Sequence, residues 1–289
     1  MREVMSNENR PTLAAVAISQ NEEVDVKGFL DNLLPWVDEI VIVDDASTDA
    51  TIDIIKAAGD KVKLVKRKMD KDSGFSGQRN AGIDAAESDW LLHMDIDERV
   101  TPELAKELLI AICDNSINGL RYKRLNFFLH HPMRGGGWQY WNNPQIGRKG
   151  FHRFQNKIHE QCVVDGRDAK TGQLNAFMWH LNDEDYVERV GKNVRYMQMS
   201  GQEILDKGIV VKWYHLLFYP LYRALRSYFY DGGFREGTRG LLFCLYTFSS
   251  SFNWWAYAWE KQNHIKREGL EKELMKIWQQ SDAANKSDK

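Results

Sequence analysis

Cysteine is scarce in this chain of 289 residues: Cys113, Cys162 and Cys244 lie far apart and form no CxxC spacing. No disulfide framework follows from such a pattern, and buried, reduced thiols are the expectation. Excess charge is equally lacking. The 39 basic and 41 acidic residues give a formal net charge of −2, so no global field draws nucleic acid and a site for any polyanion must be local. The opening stretch from Met1 to Arg10 has no apolar core of a signal peptide, and the bulk of the protein is expected to stay in the cytoplasm. Apolar and aromatic residues, by contrast, make up 43% and 12% of the chain. That is ample for a packed core in one large domain or two modest ones.

The most informative stretch is Trp90 to Arg99, a short apolar run that stops in Asp95, Asp97 and Glu98. Its length suits a buried strand, and Thr101, Pro102 and Glu103 after it read as N-cap, first residue and first-turn acid of a helix. The carboxylates then sit at the carboxyl end of a strand, the edge of an open α/β sheet where ligands bind. Asp95 and Asp97, one residue apart, can aim oxygens at one hard cation, Mg²⁺ or Mn²⁺, which typically takes one or two carboxylates plus substrate phosphates.

Three earlier segments repeat the pattern. Thr12 to Ser19 is an apolar run ending at Gln20-Asn21-Glu22-Glu23, followed by Val26, Phe29, Leu30, Leu33 and Leu34 at helical spacing up to Pro35. Glu39 to Val43 is β-branched and ends in Asp44-Asp45-Ala46-Ser47-Thr48-Asp49, with Ser47 or Asp49 placed to cap a helix from Ile52 to Ala58. Val62 to Val65 reads as a third strand, then a long polar turn holds Gly74, Gly77, Gln78, Arg79, Asn80 and Gly82, with a helix over 81–86. Strands alternating with helices predict a mostly parallel, Rossmann-like sheet. Four polar segments at one edge suit a nucleotide diphosphate: Asp44 or Asp45 can accept from a base N–H or a ribose hydroxyl, and Arg79 can offer phosphate a planar fork.

The ordered set Asn21-Glu22-Glu23, Asp44-Asp45-Ala46-Ser47, Gly77-Gln78-Arg79-Asn80 and Met94-Asp95-Ile96-Asp97-Glu98 resembles the GT-A fold of the inverting family-2 glycosyltransferases. The resemblance implies that Glu22 and Asp45 line the nucleoside site, that Arg79 lies near base or phosphate, and that Asp95 and Asp97 hold ribose and metal-diphosphate. The usual Asp-Asp-Gly-Ser is here Asp-Asp-Ala-Ser. More narrowly, Arg153-Phe154 through His159-Glu160, Trp179-His180-Leu181 and the aromatic tail after Trp213 are similar to a bacterial subgroup of lipopolysaccharide-core β-1,4-glucosyltransferases. No Gln-x-x-Arg-Trp segment of processive synthases is present, so a single transfer is implied, from a nucleotide-diphosphate sugar, UDP-linked in the first instance, to a glycan or glycolipid acceptor.

Inverting transfer needs a base to take the proton of the acceptor hydroxyl and something to stabilise the departing diphosphate. Glu160, beside His159, is the candidate base, with Asp165 in reserve; His180 is a candidate third metal ligand or phosphate donor. Arg121 to Leu129 reads as a strand and Gly135-Gly136-Gly137 as a flexible hinge. Trp138, Tyr140 and Trp141 beyond it are placed to stack on acceptor sugars, with His159 nearby. The expected domains are a GT-A catalytic unit over 1–182, an amphipathic helical region over 183–280 and a disordered tail over 281–289. Within the helical region, Gly240 to Trp259 carries no formal charge, long enough to span hydrocarbon. Its serines, its Trp254, Trp255, Tyr257 and Trp259, and Arg223, Arg226, Arg235 and Arg239 upstream instead predict helices lying on the inner leaflet, or an oligomer face. Two rival readings are a phosphoryl-handling α/β domain and a non-catalytic nucleotide-sugar or membrane-binding module.

Overall fold

The computed structural model describes residues 10–70, 72–138, 141–156, 160–165 and 170–287. At its centre four strands run parallel: β1 (Leu13–Ser19), β2 (Glu39–Asp44), β3 (Val62–Lys66) and β4 (Trp90–Met94), in the spatial order β3-β2-β1-β4. Leu13 to Ala17 are at most 1% exposed. A strand covered on both faces shows no alternation, which is why β1 is a continuous apolar run in sequence. Ser19 lies opposite Asp44, and Ala17 opposite Met94. Register alone therefore brings the acidic ends of β2 and β4 to one edge, beside the turn after β1.

Helices α1 (Val26–Leu33), α2 (Thr51–Ala57) and α3 (Gly74–Ala85) connect these strands. α1 buries Val26, Phe29, Leu30 and Leu33, the spacing seen in the sequence. α3 corrects the sequence expectation, for it begins at Gly74 and absorbs most of the supposed polar turn. The glycines there serve contact rather than flexibility: a Cβ on Gly82 would lie 2.4 Å from Val16 Cγ1, so only glycine lets the helix lie this close on β1.

Beyond β4 come β5 (Glu98–Val100), α4 (Pro102–Ala111), β6 (Ile117–Phe128), β7 (His131–Pro132), β8 (Pro144–Arg148), β9 (His152–Gln155), β10 (Gln161–Val164) and β11 (Lys170–His180). Thr101 caps α4 by accepting from the Leu104 N–H, with Pro102 in its first turn. Among the described residues the sheet continues β4-β8-β6-β11-β5, with β8 antiparallel to both neighbours and β6 parallel to β11. The β9–β10 pair is held to α3 by Asn80, which donates to the Phe154 carbonyl and accepts from its N–H, both at 2.9 Å.

The carboxy-terminal third is helical: α5 (Tyr186–Asp206), α6 (Trp213–Leu225), a π-helical turn (Arg226–Tyr230), a 3₁₀ turn (Gly233–Glu236), α7 (Gly237–Asn263) and α8 (Arg267–Ser287). α8 continues to Ser287, into the stretch from Ser281 expected to be disordered. The glycine hinge is not loose either. Gly136 N–H donates to the Asp231 carbonyl at 2.8 Å, Glu236 accepts from the Arg134 and Gly135 N–H groups, and a Cβ on Gly135 would lie 2.5 Å from the Gly232 carbonyl oxygen. The three glycines clamp the sheet to the carboxy-terminal helices. α7 buries Phe243, Cys244, Ser250, Ser251, Trp255 and Ala258. Of the serines that argued against a membrane span, Ser250 and Ser251 thus face inward, Ser250 onto Asn193 of α5 at 2.9 Å, while Ser249 is exposed. No helix among the described residues is long and apolar enough to cross a membrane.

Candidate active site

The turn after β4 is shaped by its own acids. Asp95 N–H donates to Glu98 Oε2 at 2.8 Å, and Glu98 N–H to the Asp95 carbonyl at 3.0 Å. This reciprocal pair fixes the direction of the Asp95 and Asp97 carboxylates. β11 then brings His180 against them: it lies opposite Glu98 on one side and Asn126 on the other, and Leu181 N–H donates to the Asp97 carbonyl at 3.0 Å. His180 Nε2 is 3.2 Å from Asp97 Oδ2, and Nδ1 is 2.7 Å from Asn126 Oδ1. With Nδ1–H donating to Asn126, Nε2 faces Asp97: protonated it donates to that carboxylate, and without the proton its lone pair is open to a cation.

Asp95 is held from both flanks. Arg79 Nη2 donates to its Oδ1 at 2.6 Å and Arg124 Nη2 to its Oδ2 at 2.9 Å. Burial resists its ionisation, but these two guanidiniums outweigh burial and hold the carboxyl well below the usual carboxylate range. Arg124 also pairs with Glu98, which is fully buried. Burial raises the Glu98 pKa, with Arg124 opposing. Removing Arg124 would strand that carboxylate, a cost of about 3–5 kcal/mol. Arg79 reaches one acid more: its Nε lies 3.3 Å from Glu160 Oε1. The chain Glu160–Arg79–Asp95–Arg124–Glu98 is thus one continuous charge network across α3, the β4 turn, β6 and the segment before β10.

Arg79 is therefore not the exposed phosphate fork expected from its sequence setting. It is 5% exposed, engaged by two carboxylates and lies 5.4 Å from the Phe154 ring centroid, so it orients Asp95 and Glu160. Asp44 is also withdrawn. It is 1% exposed, and its oxygens accept from Ser19 Oγ, Ser47 Oγ and Ser47 N–H, which leaves it organising the turn after β2 rather than facing a ligand. Asp45 remains partly open at the same edge, accepting from Gln20 Nε2 at 3.1 Å and Met69 N–H at 2.8 Å. Asn21 and Ala46 both adopt left-handed backbone, φ +58° and +52°. Asparagine takes that region readily; alanine at the family's usual glycine position is strained there.

Glu22 faces the same edge. Burial, followed by the Asp97 charge, pushes its carboxyl up to about 7. For His180, burial lowers the pKa, but the hydrogen bond and charge of Asp97 more than offset it and the net shift is upward. Both shifts mark a concentration of negative charge around Asp97 that a cation would relieve. Side-chain ligand atoms of Asp95, Asp97 and His180 lie within 4.8 Å of one another. Two carboxylates and an imidazole fit Mg²⁺ or Mn²⁺. Since both Asp95 oxygens already accept from arginines, Asp97 and His180 are the freer donors.

Of the acceptor candidates, Trp138 and Trp141 lie together beside this network: Arg124 stacks on Trp141 at 3.9 Å, and both tryptophans line a cavity of about 460 Å³ that also touches His180. His159 and Tyr140 fall outside the described residues. Arg124 and Asn126 were missed in sequence because they sit in a basic stretch. The signal was the period of two: Tyr122, Arg124, Asn126 and Phe128 share one face of β6.

Comparison with known proteins finds relatives among glycosyltransferases. The chain is 28% identical over 237 residues to the lipopolysaccharide core biosynthesis glycosyltransferase LpsC of Rhizobium meliloti (strain 1021), covering 80% of this chain and 85% of the relative. It is 25% identical over 242 residues to an uncharacterized glycosyltransferase of Rickettsia typhi, covering 80% of each. Among solved structures it is similar to Staphylococcus aureus TarS 1-349, at a TM-score of 0.46 and 16% identity over 89% of this chain and 93% of that one. The model of the family described as glycosyl transferase family 2 matches residues 15–164, from inside β1 to the end of β10, and so covers the ends of β1, β2 and β4 and Glu160 but stops before β11 and His180. With that match the phosphoryl-handling and non-catalytic alternatives fall away, and the chain belongs to glycosyl transferase family 2.

Proposed function

We propose that this enzyme moves one sugar, with inversion, from a nucleotide-diphosphate sugar to a lipid-linked or lipopolysaccharide-type glycan at the inner face of the cell membrane. The observation that carries the reading is the meeting of Asp95, Asp97 and His180 at the strand ends, with Glu160 tied to the same network through Arg79. Asp45 and Glu22 would line the nucleoside. Asp97 and His180, with Asp95 behind them, would hold Mg²⁺ or Mn²⁺, which when bound neutralises charge on the leaving diphosphate.

Glu160 is the proposed base. One of its oxygens is turned to Arg79 and the other accepts no hydrogen bond among the described residues. A carboxylate steadied in this way can take the acceptor proton as the hydroxyl oxygen attacks the anomeric carbon. The resemblance of LpsC, by name a lipopolysaccharide core glycosyltransferase, favours a cell-envelope acceptor. The membrane reading rests on α6 and the turn after it, where Trp213, Phe218, Tyr222, Leu225, Phe229 and Tyr230 are all exposed, with Arg226 among them.

A panel of UDP, GDP, CMP and TDP sugars, with and without Mn²⁺, tests this reading. Turnover of one class with Mn²⁺, and a product of opposite anomeric configuration by NMR, is expected. Nucleotide binding with no turnover of any donor would overturn it.

A further inference from the structure

The cavity of about 460 Å³ between the sheet and the carboxy-terminal helices is not accounted for by donor or metal. Its lining includes His180 and Arg124 of the charge network described above. Trp138, Trp141 and Trp254 supply apolar ring surface, and Arg189 on α5 and Arg223 on α6 add two further guanidiniums. Among the described residues the lining contains three arginines and a histidine and no carboxylate.

These arginines differ in what already occupies them. Arg124 is neutralised by Asp95 and Glu98. Arg189 is 7% exposed, ion-paired with Asp183 and packed on the Trp138 ring, 4.4 Å from its centroid. Arg223 has no carboxylate at ion-pair distance among the described residues and rests on the Trp254 ring, 4.9 Å from its centroid. Resting there, the guanidinium meets no hydrogen-bond acceptor among the described residues, and its planar fork suits carboxylate or phosphate. A second cavity of about 310 Å³ shares Arg223, Trp138 and Thr247 with the first, so Arg223 stands at the junction of the two.

We infer that this cavity seats the acceptor sugar and that the acceptor is anionic, carrying a carboxylate or a phosphate monoester that Arg223 grips, with Arg189 adding positive charge to the same wall. The inference rests on the glycosyl-transfer reading and adds to it the charge class of the acceptor. Arg223 acts as a specificity residue; it touches no reacting atom.

Ligand-observed NMR titrations of the full chain with glucose, glucuronic acid, glucose 6-phosphate and inorganic phosphate test it, beside a separate titration with UDP and Mn²⁺. Both anionic sugars should bind at least about tenfold more tightly than glucose, and more tightly than inorganic phosphate, which lacks a ring to stack. In R223Q that preference should shrink to about threefold or less, and R223K should recover part of it, while affinity for UDP with Mn²⁺ stays within about twofold. Equal binding of glucose and the anionic sugars by the unaltered protein would overturn the inference whether or not a variant folds. So would inorganic phosphate matching glucose 6-phosphate, or a parallel loss of UDP binding in R223Q, which would assign the arginine to the donor. Anionic-sugar preference without any UDP binding would instead sustain the cavity and sink the transfer reading.

Discussion

At the carboxyl ends of β1, β2 and β4 the charges come in pairs: Asp95 with Arg79 and Arg124, Glu98 with Arg124, Asp97 with His180. On α6, separated in sequence from all of these by the helix α5, Arg223 lies on a tryptophan face and apolar side chains such as Phe218 and Leu225 stand in solvent. The first region is preorganised. Its carboxylates are held before any ligand arrives, as electrostatic catalysis requires. The second region leaves apolar and aromatic side chains exposed together, the kind of patch that marks interaction surfaces.

The largest effect that would break this contrast lies in the first region. Glu160→Gln should lower kcat by about a hundredfold or more, the usual worth of a positioned base, while a titration with UDP and Mn²⁺ changes little; equal loss of both would move the base elsewhere. In the second region, replacing Phe218 and Phe229 together with Glu should weaken binding to vesicles of anionic lipid by about tenfold or more in a sedimentation assay. Donor turnover in solution should not change. If vesicle binding is unaffected, the apolar face serves another copy of the chain or another partner.

Two smaller effects sharpen the account of the preorganised region. Glu22 is pushed up to about 7, so the folded chain holds that proton more tightly than the unfolded chain, whose glutamate titrates near 4.5. Its contribution to stability is present below 4.5 and is lost as pH rises through about 7. Glu22→Gln should therefore raise Tm above pH 7 but not below 4.5, and added Mn²⁺ should diminish the gain; a pH-independent change would point to packing. Smallest is Ala46→Gly. Relieving left-handed strain at φ +52° should stabilise by about 0.5–1 kcal/mol after glycine's entropic cost, a rise of about 1–4 °C in a thermal melt.

How much of this was legible in the sequence follows the same division. Buried parallel strands are continuous apolar runs that end abruptly, so β1, β2 and β4 and their acidic ends stand out, and with them Asp95, Asp97 and the capped start of α4. Glycine hid the beginning of α3, because a residue chosen for close approach to Val16 has the same letter as one chosen for a turn. Sequence spacing also does not say which way a charge faces. Arg79 turned toward carboxylates, Asp44 turned into its own turn, and Arg124 was one basic residue among several. In the carboxy-terminal third aromatic residues occur on every face of α6 and α7, so periodicity could not separate Trp255, 7% exposed and stacked on His215, from Trp213, 68% exposed.

The acids after β4, together with His180, would hold a divalent ion, which when bound would neutralise charge on the donor's diphosphate. Isothermal titration of UDP, with and without Mn²⁺, into the unaltered chain and Asp97→Ala tests it most directly. The account predicts that Mn²⁺ tightens UDP binding by at least about tenfold in the unaltered chain and that Asp97→Ala loses this gain. Identical UDP affinities with and without the ion, or an undiminished Mn²⁺ effect in Asp97→Ala, would contradict it.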